Sequence, residues 1–191
     1  MADFHYEIND GVAVISWNTP TRNMNIMDLK SLSDLEIKID KALTDNDVIG
    51  VIITSGKSNF SGGLDLGCIS KIPGIISENF QENLFKGLKV FTNLTRKIEL
   101  AGMNNKNTDG KPIVCTLDGD ALGEGFEIAL SCHKIFVSDN LIGKLGFPDI
   151  LISMPPVAGS ISRLIRKIDK DLCASLLQNG EYINFENAIK H

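Results

Sequence analysis

Residues 118–134 read "DGDALGEGFEIALSCHK", a short turn followed by an apolar run at helical spacing. Gly123 and Gly125 bracket Glu124 where the helix should begin, although glycine is a poor helix former. Two glycines are useful there if backbone N–H groups must be exposed to a negative group, because glycine allows close approach and a helix N-terminus carries partial positive charge. The stretch therefore predicts a strand-to-helix turn that binds an anion.

Hydrophobic periodicity on both sides of this turn alternates between strand and helix, which predicts an α/β domain with helices packed on a sheet. The hairpin, helices and strands expected in chain order are "HYEI" and "VAVISW" joined by Asn9-Asp10-Gly11, a helix with Leu29, Leu32, Leu35, Ile39 and Leu43, a strand in "DVIGVIITS", a helix with Phe80, Leu84, Leu88, Phe91, Leu94 and Ile98, a strand in "IVCTLDG", the helix "FEIALSCHK" and the strand "KIFVSD". The 191 residues are predicted to form a single domain, 1–191.

Composition excludes several classes of partner. The chain has 19 Lys and Arg against 24 Asp and Glu, a net charge of −5, without a block of like charges, so neither nucleic acid nor an anionic membrane is expected as a partner. No apolar run reaches the ~20 residues of a membrane-spanning helix. The polar, acidic start "MADFHYEINDG" is unlike a signal or transit peptide and predicts a cytoplasmic location.

Cysteine spacing argues against a metal or disulfide framework. The four cysteines lie far apart without a C-x-x-C pair, which predicts buried, reduced thiols and no metal site; they are Cys68, Cys115, Cys132 and Cys173.

Three segments contain residues that are able to carry chemistry. These are "FSGGLDL" (60–66), "ALGEGFE" (121–127) and "KLGFPDILISMPP" (144–156). Taken singly, each also fits a structural explanation: a flexible connection, a tight turn with an acid at a helix start, and an Asp that forms a turn. Neither G-x-G-x-x-G after a strand nor G-x-x-x-x-G-K-[ST] is present, so a nucleotide-phosphate site is a poor fit.

Taken in order, the motifs resemble the enoyl-CoA hydratase (crotonase) superfamily, whose members carry F-x-x-G-x-D-L, then A-L-G-G-G-x-E, then G-x-P-E and P-x-x-G-x-x-x-R-L. The corresponding stretches are "FSGGLDL", "ALGEGFE", "LGFPDI" (145–150) and "MPPVAGSISRLIR" (154–166). The resemblance extends from the N-terminal hairpin to "NGEYINFENAIKH", and it is greatest to the hydratase domain at the front of a multifunctional fatty-acid oxidation protein.

The resemblance assigns the predicted anion to the enolate oxygen of a thioester. In the family, two backbone N–H groups bind the thioester carbonyl, and they correspond to those of Leu64 and Glu124. The supporting glycines are Gly62, Gly63, Gly123 and Gly125. The family has glycine where this chain has Glu124, and a carboxylate beside a developing enolate repels it. The Glu124 side chain is therefore expected to point away from the pocket.

The resemblance also assigns two catalytic acids, Glu127 and Asp149, which are expected to face one cavity with room for one water between them. The family has glutamate where this chain has Asp149, and the shorter side chain is expected to reach less far towards the substrate. Arg22 corresponds to a position that often contacts CoA, although a solvated surface arginine fits equally well. For His133 a structural role is expected, since no other ligand stands at metal-binding spacing.

Together these features imply a crotonase-like spiral of repeated β-β-α units, an α/β fold in which the C-terminal trimerisation helices of the family are missing from this chain. The implied activity is enoyl-CoA hydration in fatty-acid β-oxidation, without a cofactor other than the coenzyme A of the substrate. The alternatives are an enoyl-CoA isomerase and a catalytically weak acyl-CoA-binding domain. The implied partners of the longer protein are copies of itself, as a trimer, and a 3-hydroxyacyl-CoA dehydrogenase.

Overall fold

The computed structural model describes residues 2–69, 80–103, 108–139 and 142–190. The strands are β1 (Phe4–Asn9), β2 (Val12–Trp17), β3 (Gly50–Ser55), β4 (Ile113–Leu117), β5 (Ala121–Leu122), β6 (Lys134–Val137), β7 (Lys144–Gly146) and β8 (Tyr182–Asn184). The helices are α1 (Leu29–Thr44), α2 (Leu66–Ile69), α3 (Phe80–Leu100), α4 (Glu124–Ser131), α5 (Ser160–Leu164), α6 (Lys170–Asn179) and α7 (Phe185–Ala188), and a 3-10 helix spans Pro148–Ile152. The alternation of strand and helix confirms the predicted α/β class.

A five-stranded sheet in the order β1-β2-β3-β4-β6 forms the main layer. The predicted hairpin pairs β1 with β2 in antiparallel register, and the other neighbours are parallel. Side chains along β2 alternate between half-buried and buried, as the period of a strand requires. The parallel strands need crossover connections, which the helices supply.

A second sheet of three short strands, in the order β5-β7-β8, was not predicted. It pairs Ala121 with Leu145 and Leu145 with Ile183, residues far apart in sequence. Strands of two or three residues show no periodicity, so the sequence gives no local sign of them. This sheet matters for function because it brings the segment after β7 beside the turn at the start of α4.

Helices α1 and α3 bury the apolar stripes that predicted them. In α1, Leu32, Leu35 and Ile39 are buried, whereas Leu29, the first helical residue, is exposed. Asp28 caps α1 by accepting a hydrogen bond from the Ser31 amide at 2.7 Å. The buried residues of the α3 stripe are Phe91, Leu94 and Ile98, while Leu88 is exposed. The side chains of Phe80 and Leu84 lie outside the described part of the chain.

Trp17, at the end of β2, ties the N-terminal hairpin to the segment that carries the glycines. Its ring stacks on Phe4 at 5.1 Å and meets the edge of Phe60 at 5.9 Å between centroids. The side chain of Asn25, fully buried, donates hydrogen bonds to the carbonyls of Trp17 and Phe60 at 3.0 and 3.1 Å. These contacts fix the start of the 60–66 segment on the core.

The remaining expectations concern cysteines, the C-terminal region and membrane helices. Among the described side chains, the buried and unpaired thiols are those of Cys115, Cys132 and Cys173, as expected, and the Cys68 side chain lies outside that set. Near the C-terminus, Leu176, Ile183 and Phe185 join the core, whereas Tyr182 and Ile189 are exposed. In the described ranges, no helix combines the length and apolar character needed to span a membrane.

Candidate active site

The segment 60–66 is held like a short strand between two neighbouring stretches of chain. Ser61 forms a parallel bridge with Ala121, and the amides of Phe60 and Ser61 both donate to the Asp120 carbonyl at 2.9 Å. The Gly-Gly sequence is therefore part of a segment held by backbone hydrogen bonds and is not a flexible connection. It lies directly beside the turn that begins α4.

On its other side the segment pairs with Met27, which orients the Leu64 amide. The Met27 amide donates to the Gly63 carbonyl, and the Asp65 amide donates to the Met27 carbonyl, both at 2.8 Å. Backbone groups along a strand alternate in direction, so the N–H of Leu64, between these two residues, faces the opposite side. That side is the N-terminus of α4.

The turn before α4 depends on glycine at position 123. Gly123 has φ 52° and ψ −126°, a conformation that residues with a side chain avoid, and its amide donates to the Gly146 carbonyl at 3.0 Å. A Cβ here would lie 2.6 Å from Oδ2 of Asp149 and 3.2 Å from the Cα of Gly63. Absence of a side chain thus lets three functional segments meet. As the first residue of α4, Glu124 has an N–H without an acceptor inside the helix.

The other supporting glycines are also required by close packing. A Cβ on Gly125 would collide with the side chain of Ser61, and one on Gly62 with the sulfur of Met24. Gly63 has φ +96°, where side chains are strained. Gly63, Gly123 and Gly125 therefore serve the approach of the two turns, and Gly62 serves the packing of segment 60–66 on Met24.

The carboxyl group of Glu124 lies where the two predicted amides converge. The N–H groups of Glu124 itself and of Leu64 act on this carboxyl as hydrogen-bond donors that lower its pKa. Its Oε2 is buried without a hydrogen-bond partner of good geometry, 3.6 Å from the position that a Cβ on Gly63 would take. The expectation that this side chain points away from the pocket is wrong. Two backbone amides and a helix N-terminus attract a nearby carboxyl group, and the expectation left out this attraction.

Burial raises the pKa of Glu124 to about 7, against the opposing effect of its own amide, and the charges of Asp149 and Glu127 raise it further. An ordinary glutamate has a pKa near 4.5. Glu124 is consequently divided between its protonated and charged forms near neutral pH. A proton at this position changes how strongly the carboxyl holds the two amides.

Asp149, in the 3-10 helix, reaches both glycine turns. Its Oδ2 lies 2.6 and 3.4 Å from the positions that Cβ atoms on Gly123 and Gly63 would occupy. The pairing of Leu122 with Gly146 in the small sheet brings the 3-10 helix to this place. Burial raises the pKa of Asp149. The shorter side chain thus still brings a carboxyl to the point where the turns meet.

Glu127, one turn into α4, is buried and held by backbone amides. Its two carboxylate oxygens accept hydrogen bonds from the amide of Val157 at 3.1 Å and from that of Ala158 at 2.8 Å. Burial raises the pKa of Glu127, while Ser160, Ala158 and Val157 lower it by hydrogen bonding. A carboxylate oxygen has two lone pairs, so these bonds leave room for a proton or a water.

Glu124 lies within electrostatic reach of both other acids, since the charges of Asp149 and Glu127 raise its pKa. That Glu127 and Asp149 face one cavity with one water between them stays a prediction, and Glu124 is a third acid close to both. The exposed fraction of Glu127 is 2%, so access to that acid depends on the position of its neighbours.

Arg22 lies beside the glycine segment and pairs with one of its residues. Its guanidinium contacts the carboxylate of Asp65 at 3.0 Å, and the Lys57 ammonium donates to its carbonyl at 2.8 Å. The side chain is about half exposed, at 48%. This placement fits both a CoA contact and a surface ion pair.

His133 has a structural role, because its Nδ1 accepts a hydrogen bond from the Ile113 amide at 2.9 Å. Over the part of the chain that the structure describes, no group of three or more His, Cys, Asp or Glu side chains has the arrangement of a metal site.

Sequence reasoning missed the groups that position Glu127. The carbonyl of Ala158, whose amide binds Glu127, accepts hydrogen bonds from Arg163 at 2.6 Å and Thr95 at 2.9 Å. Arg163 also pairs with Glu99 of α3 at 3.1 Å. The run "AGSISRL" contains Arg163, and a buried arginine needs hydrogen-bond acceptors. Nothing in the local sequence indicated which groups those acceptors are.

Comparison with known proteins yields a family match over nearly the whole chain. The family model described as enoyl-CoA hydratase/isomerase matches residues 7–191. The fatty acid oxidation complex subunit alpha of Shewanella amazonensis is 26% identical over 95% of this chain and 24% of its own length. The 2,3-dehydroadipyl-CoA hydratase of Escherichia coli is 29% identical over 93% of this chain and 62% of its own length. The chain thus spans less than two thirds of these relatives.

The fold is also that of a solved structure from the same group. An enoyl-CoA hydratase from Geobacillus kaustophilus superposes with a TM-score of 0.83 at 23% identity, covering 100% of this chain and 66% of the other. That likeness confirms the crotonase-like architecture expected from the motifs.

Proposed function

The chain belongs to the enoyl-CoA hydratase/isomerase family, and from that premise we propose that it adds water across the double bond of a 2-enoyl-CoA thioester in fatty-acid β-oxidation. The observation that carries the proposal is the close approach of segment 60–66 to the N-terminus of α4, where a Cβ on Gly123 would lie 3.2 Å from the Cα of Gly63 and the amides of Leu64 and Glu124 both lower the pKa of one carboxyl group. Two donors aimed at one oxygen are suited to the negative charge that develops on a thioester carbonyl.

The acids supply the proton transfers of hydration. Glu127 takes a proton from water, whose oxygen bonds to the β-carbon of the substrate, and the π electrons of the double bond move towards the thioester to form the enolate. Asp149 then gives its proton to the α-carbon. The pKa of both acids is raised by burial, which favours groups able to hold and release a proton near neutral pH.

A second activity, enoyl-CoA isomerisation, is favoured by the difference between the two acids. Glu127 is held by two backbone amides, whereas Asp149 lies at the glycine turns where substrate must bind. In isomerisation, one carboxylate removes a proton from the α-carbon of a 3-enoyl thioester and returns it to the γ-carbon. These two proton transfers need only one acid, and Asp149 supplies it.

A third possibility, a catalytically weak acyl-CoA-binding domain, is favoured by the Glu124 carboxyl at the anion position. Under either catalytic scheme the substrate must displace that group. Tight thioester binding without turnover would identify such a domain.

We extend the proposal to the longer protein. It uses no cofactor, since hydration and isomerisation transfer no electrons between molecules. It acts in the cytoplasm, assembles as a trimer, and is fused to or complexed with a 3-hydroxyacyl-CoA dehydrogenase. The similarity to a fatty acid oxidation complex subunit supports the last point. Arg22, at the edge of the glycine segment, is proposed to contact the CoA moiety.

The test is an assay of crotonyl-CoA hydration, following formation of 3-hydroxybutyryl-CoA by mass spectrometry, with 3-hexenoyl-CoA as the isomerase substrate. We expect hydration by the protein and its loss in Glu127→Gln. The control is Glu186→Gln, which removes one exposed carboxylate of α7. Double-bond migration without hydration would select the isomerase, and thioester binding without either reaction would select the binding domain.

A further inference from the structure

The Glu124 side chain has features that the proposed reaction does not use. It starts at the first residue of α4 and returns to the position where its own amide and that of Leu64 converge. The thioester oxygen requires these same two donors. One position cannot hold a carboxyl group and a thioester carbonyl together, because both would overlap within van der Waals contact.

We propose that the Glu124 carboxyl is a built-in competitor of the substrate, which occupies the thioester-oxygen position in the free protein and must leave it before substrate binds productively. The inference rests on the proposed function, since it assumes that the ligand is a thioester. It makes Glu124 a residue that sets substrate affinity through competition, separate from the acids that transfer protons.

The competition has a definite physical basis. A carboxyl oxygen in this position uses the same two amides as a thioester carbonyl would, so Glu124 competes with a thioester for them. Against this, its Oε2 is buried without a partner of good geometry, and Asp149 and Glu127 place negative charge nearby. The carboxyl is therefore a displaceable occupant, held by two amides and repelled by two acids.

Protonation of Glu124 should strengthen the competition. The groups that face the carboxyl are Glu127 from its own helix, Asp149 from the 3-10 helix and the amide of Leu64 from segment 60–66. The acid of that segment, Asp65, is paired with Arg22. The pKa of the carboxyl is raised in this position and is ordinary in solvent, so the neutral form stays in the position more firmly and the charged form is displaced by substrate more easily. Affinity for a thioester should accordingly rise as pH rises through about 7, where Glu124 becomes charged and leaves the position more easily.

The experiment measures binding of butyryl-CoA, a saturated thioester that cannot be hydrated, by isothermal titration calorimetry at about pH 6 and about pH 8. The proteins are wild type, Glu124→Gly, Glu124→Gln and the control Glu186→Gln. Between these pH values the charged fraction of Glu124 rises from ~10% to ~90%. We expect Glu124→Gly to bind more tightly than wild type, with a gain that is ~10-fold larger at the lower pH, because the neutral Glu124 carboxyl holds the position best there.

Glu124→Gln keeps the size of the side chain and removes its titration. Since the phosphates of CoA titrate in the same range, the informative quantity is the difference in pH dependence between wild type and this variant. Relative to Glu124→Gln, we expect wild type and the control to gain affinity several-fold on going to the higher pH.

Two outcomes would overturn the inference, and they are distinct. If all four proteins bind butyryl-CoA with the same affinity and pH dependence, Glu124 is not a competitor, while the proposed function stands. If none of the four binds it, although each unfolds cooperatively, the proposed function fails and the inference fails with it.

Discussion

At the scale of single residues, the site is a balance of three carboxyl groups around two amides. Each acid is held differently: Glu127 by the amides before α5, Asp149 by the backbone of the 3-10 helix, and Glu124 by the position of its own helix start. Their charges are not independent, because those of Asp149 and Glu127 help to raise the pKa of Glu124. Removing the charge of Asp149 or Glu127 should therefore change the pKa of Glu124.

The stability of the protein should reflect the raised pKa of Glu124. The folded protein holds this proton up to about pH 7, whereas the unfolded chain releases it near 4.5, so stability is full below the lower value and falls as pH rises through the upper one. The shift corresponds to at most ~3 kcal/mol. We expect Glu124→Gln to gain stability over wild type at about pH 8 and much less at about pH 5, measured by urea unfolding. An equal difference at both pH values would contradict this.

Glu127→Gln should lose both activity and stability. The variant removes the base, so the rate of hydration should fall by ~10²–10⁴-fold. An amide offers only one oxygen, so the N–H of Val157 or Ala158 faces an NH₂ group and loses its acceptor, at a cost of ~1–3 kcal/mol. Butyryl-CoA binding should persist. Steady-state kinetics, urea unfolding and calorimetry on one preparation separate the three effects, and unchanged turnover would remove Glu127 from the mechanism.

Asp149→Glu tests whether Asp149 and Glu124 compete for space. The Asp149 carboxyl already lies against the Gly123 and Gly63 turns, so an added methylene should crowd Glu124 and lower kcat/KM for crotonyl-CoA. In a Glu124→Gly background the same substitution should be neutral or favourable. Comparing the two single variants with the double variant gives the coupling between the sites. Additive effects would mean that the two side chains do not meet.

At the scale of elements, the site exists because two turns pack without side chains between them. The segment 60–66 and the start of α4 approach so closely that a Cβ on Gly123 would sit 3.2 Å from the Cα of Gly63. This approach aligns the amides of Leu64 and Glu124. The glycines thus allow backbone to pack directly on backbone, and they do not serve to make the chain flexible.

Gly123→Ala should damage the site more than any exposed glycine substitution. The new Cβ would meet Asp149 and Gly63, and the backbone angles disfavour alanine, for an expected cost of ~1–3 kcal/mol and loss of thioester binding. Gly87→Ala is the matched control. A Cβ there meets nothing within 4 Å in α3, so the variant should gain ~0.5–1 kcal/mol. Thermal unfolding and butyryl-CoA titration of both variants provide the check, and equal behaviour would refute the packing argument.

The elements also show how far sequence reasoning extends. The β1–β2 hairpin and helix α1 were predicted because their apolar residues repeat at a local period that sets one face against the core. The sheet β5-β7-β8 was not, because the pairing of Leu145 with Ile183 depends on the folded chain and leaves no local pattern.

Within the site, motif order was enough to name Leu64, Glu127 and Asp149 as candidates. The direction of the Glu124 side chain was predicted wrongly, because repulsion by an enolate was considered without the attraction of the two backbone amides. The partners of Glu127 were missed because backbone donors carry no residue-specific signal.

At the scale of the whole molecule, two sheets share one continuous core. Residues buried in it come from the hairpin, from α3 and from the small sheet, including Ile15, Leu94 and Ile183. The domain assignment of residues 1–191 as one unit remains a prediction from length. A single cooperative transition would follow from the shared core.

Ile183→Ala tests that cooperativity. Ile183 is buried in β8, so the truncation should cost ~2–5 kcal/mol. If the protein unfolds as one unit, the transition seen by fluorescence of Trp17, the single tryptophan, in β2, should shift by the full amount and coincide with that seen by circular dichroism. Ile142→Ala, at a residue 93% exposed, should leave both curves in place. If the unfolding transition seen by Trp17 fluorescence does not shift in Ile183→Ala, the small sheet unfolds separately.

The position of Glu124 has a consequence for how the protein can evolve. Glutamate codons differ from glycine codons by a single nucleotide transition, so the smallest genetic step available at this position removes the carboxyl from the thioester-oxygen site. Random mutagenesis under selection for tighter ligand capture should accordingly find glycine at 124 among its earliest winners, before any change in the acids or the turns. A single base change in the gene is thus expected to raise the affinity of the protein for its ligand.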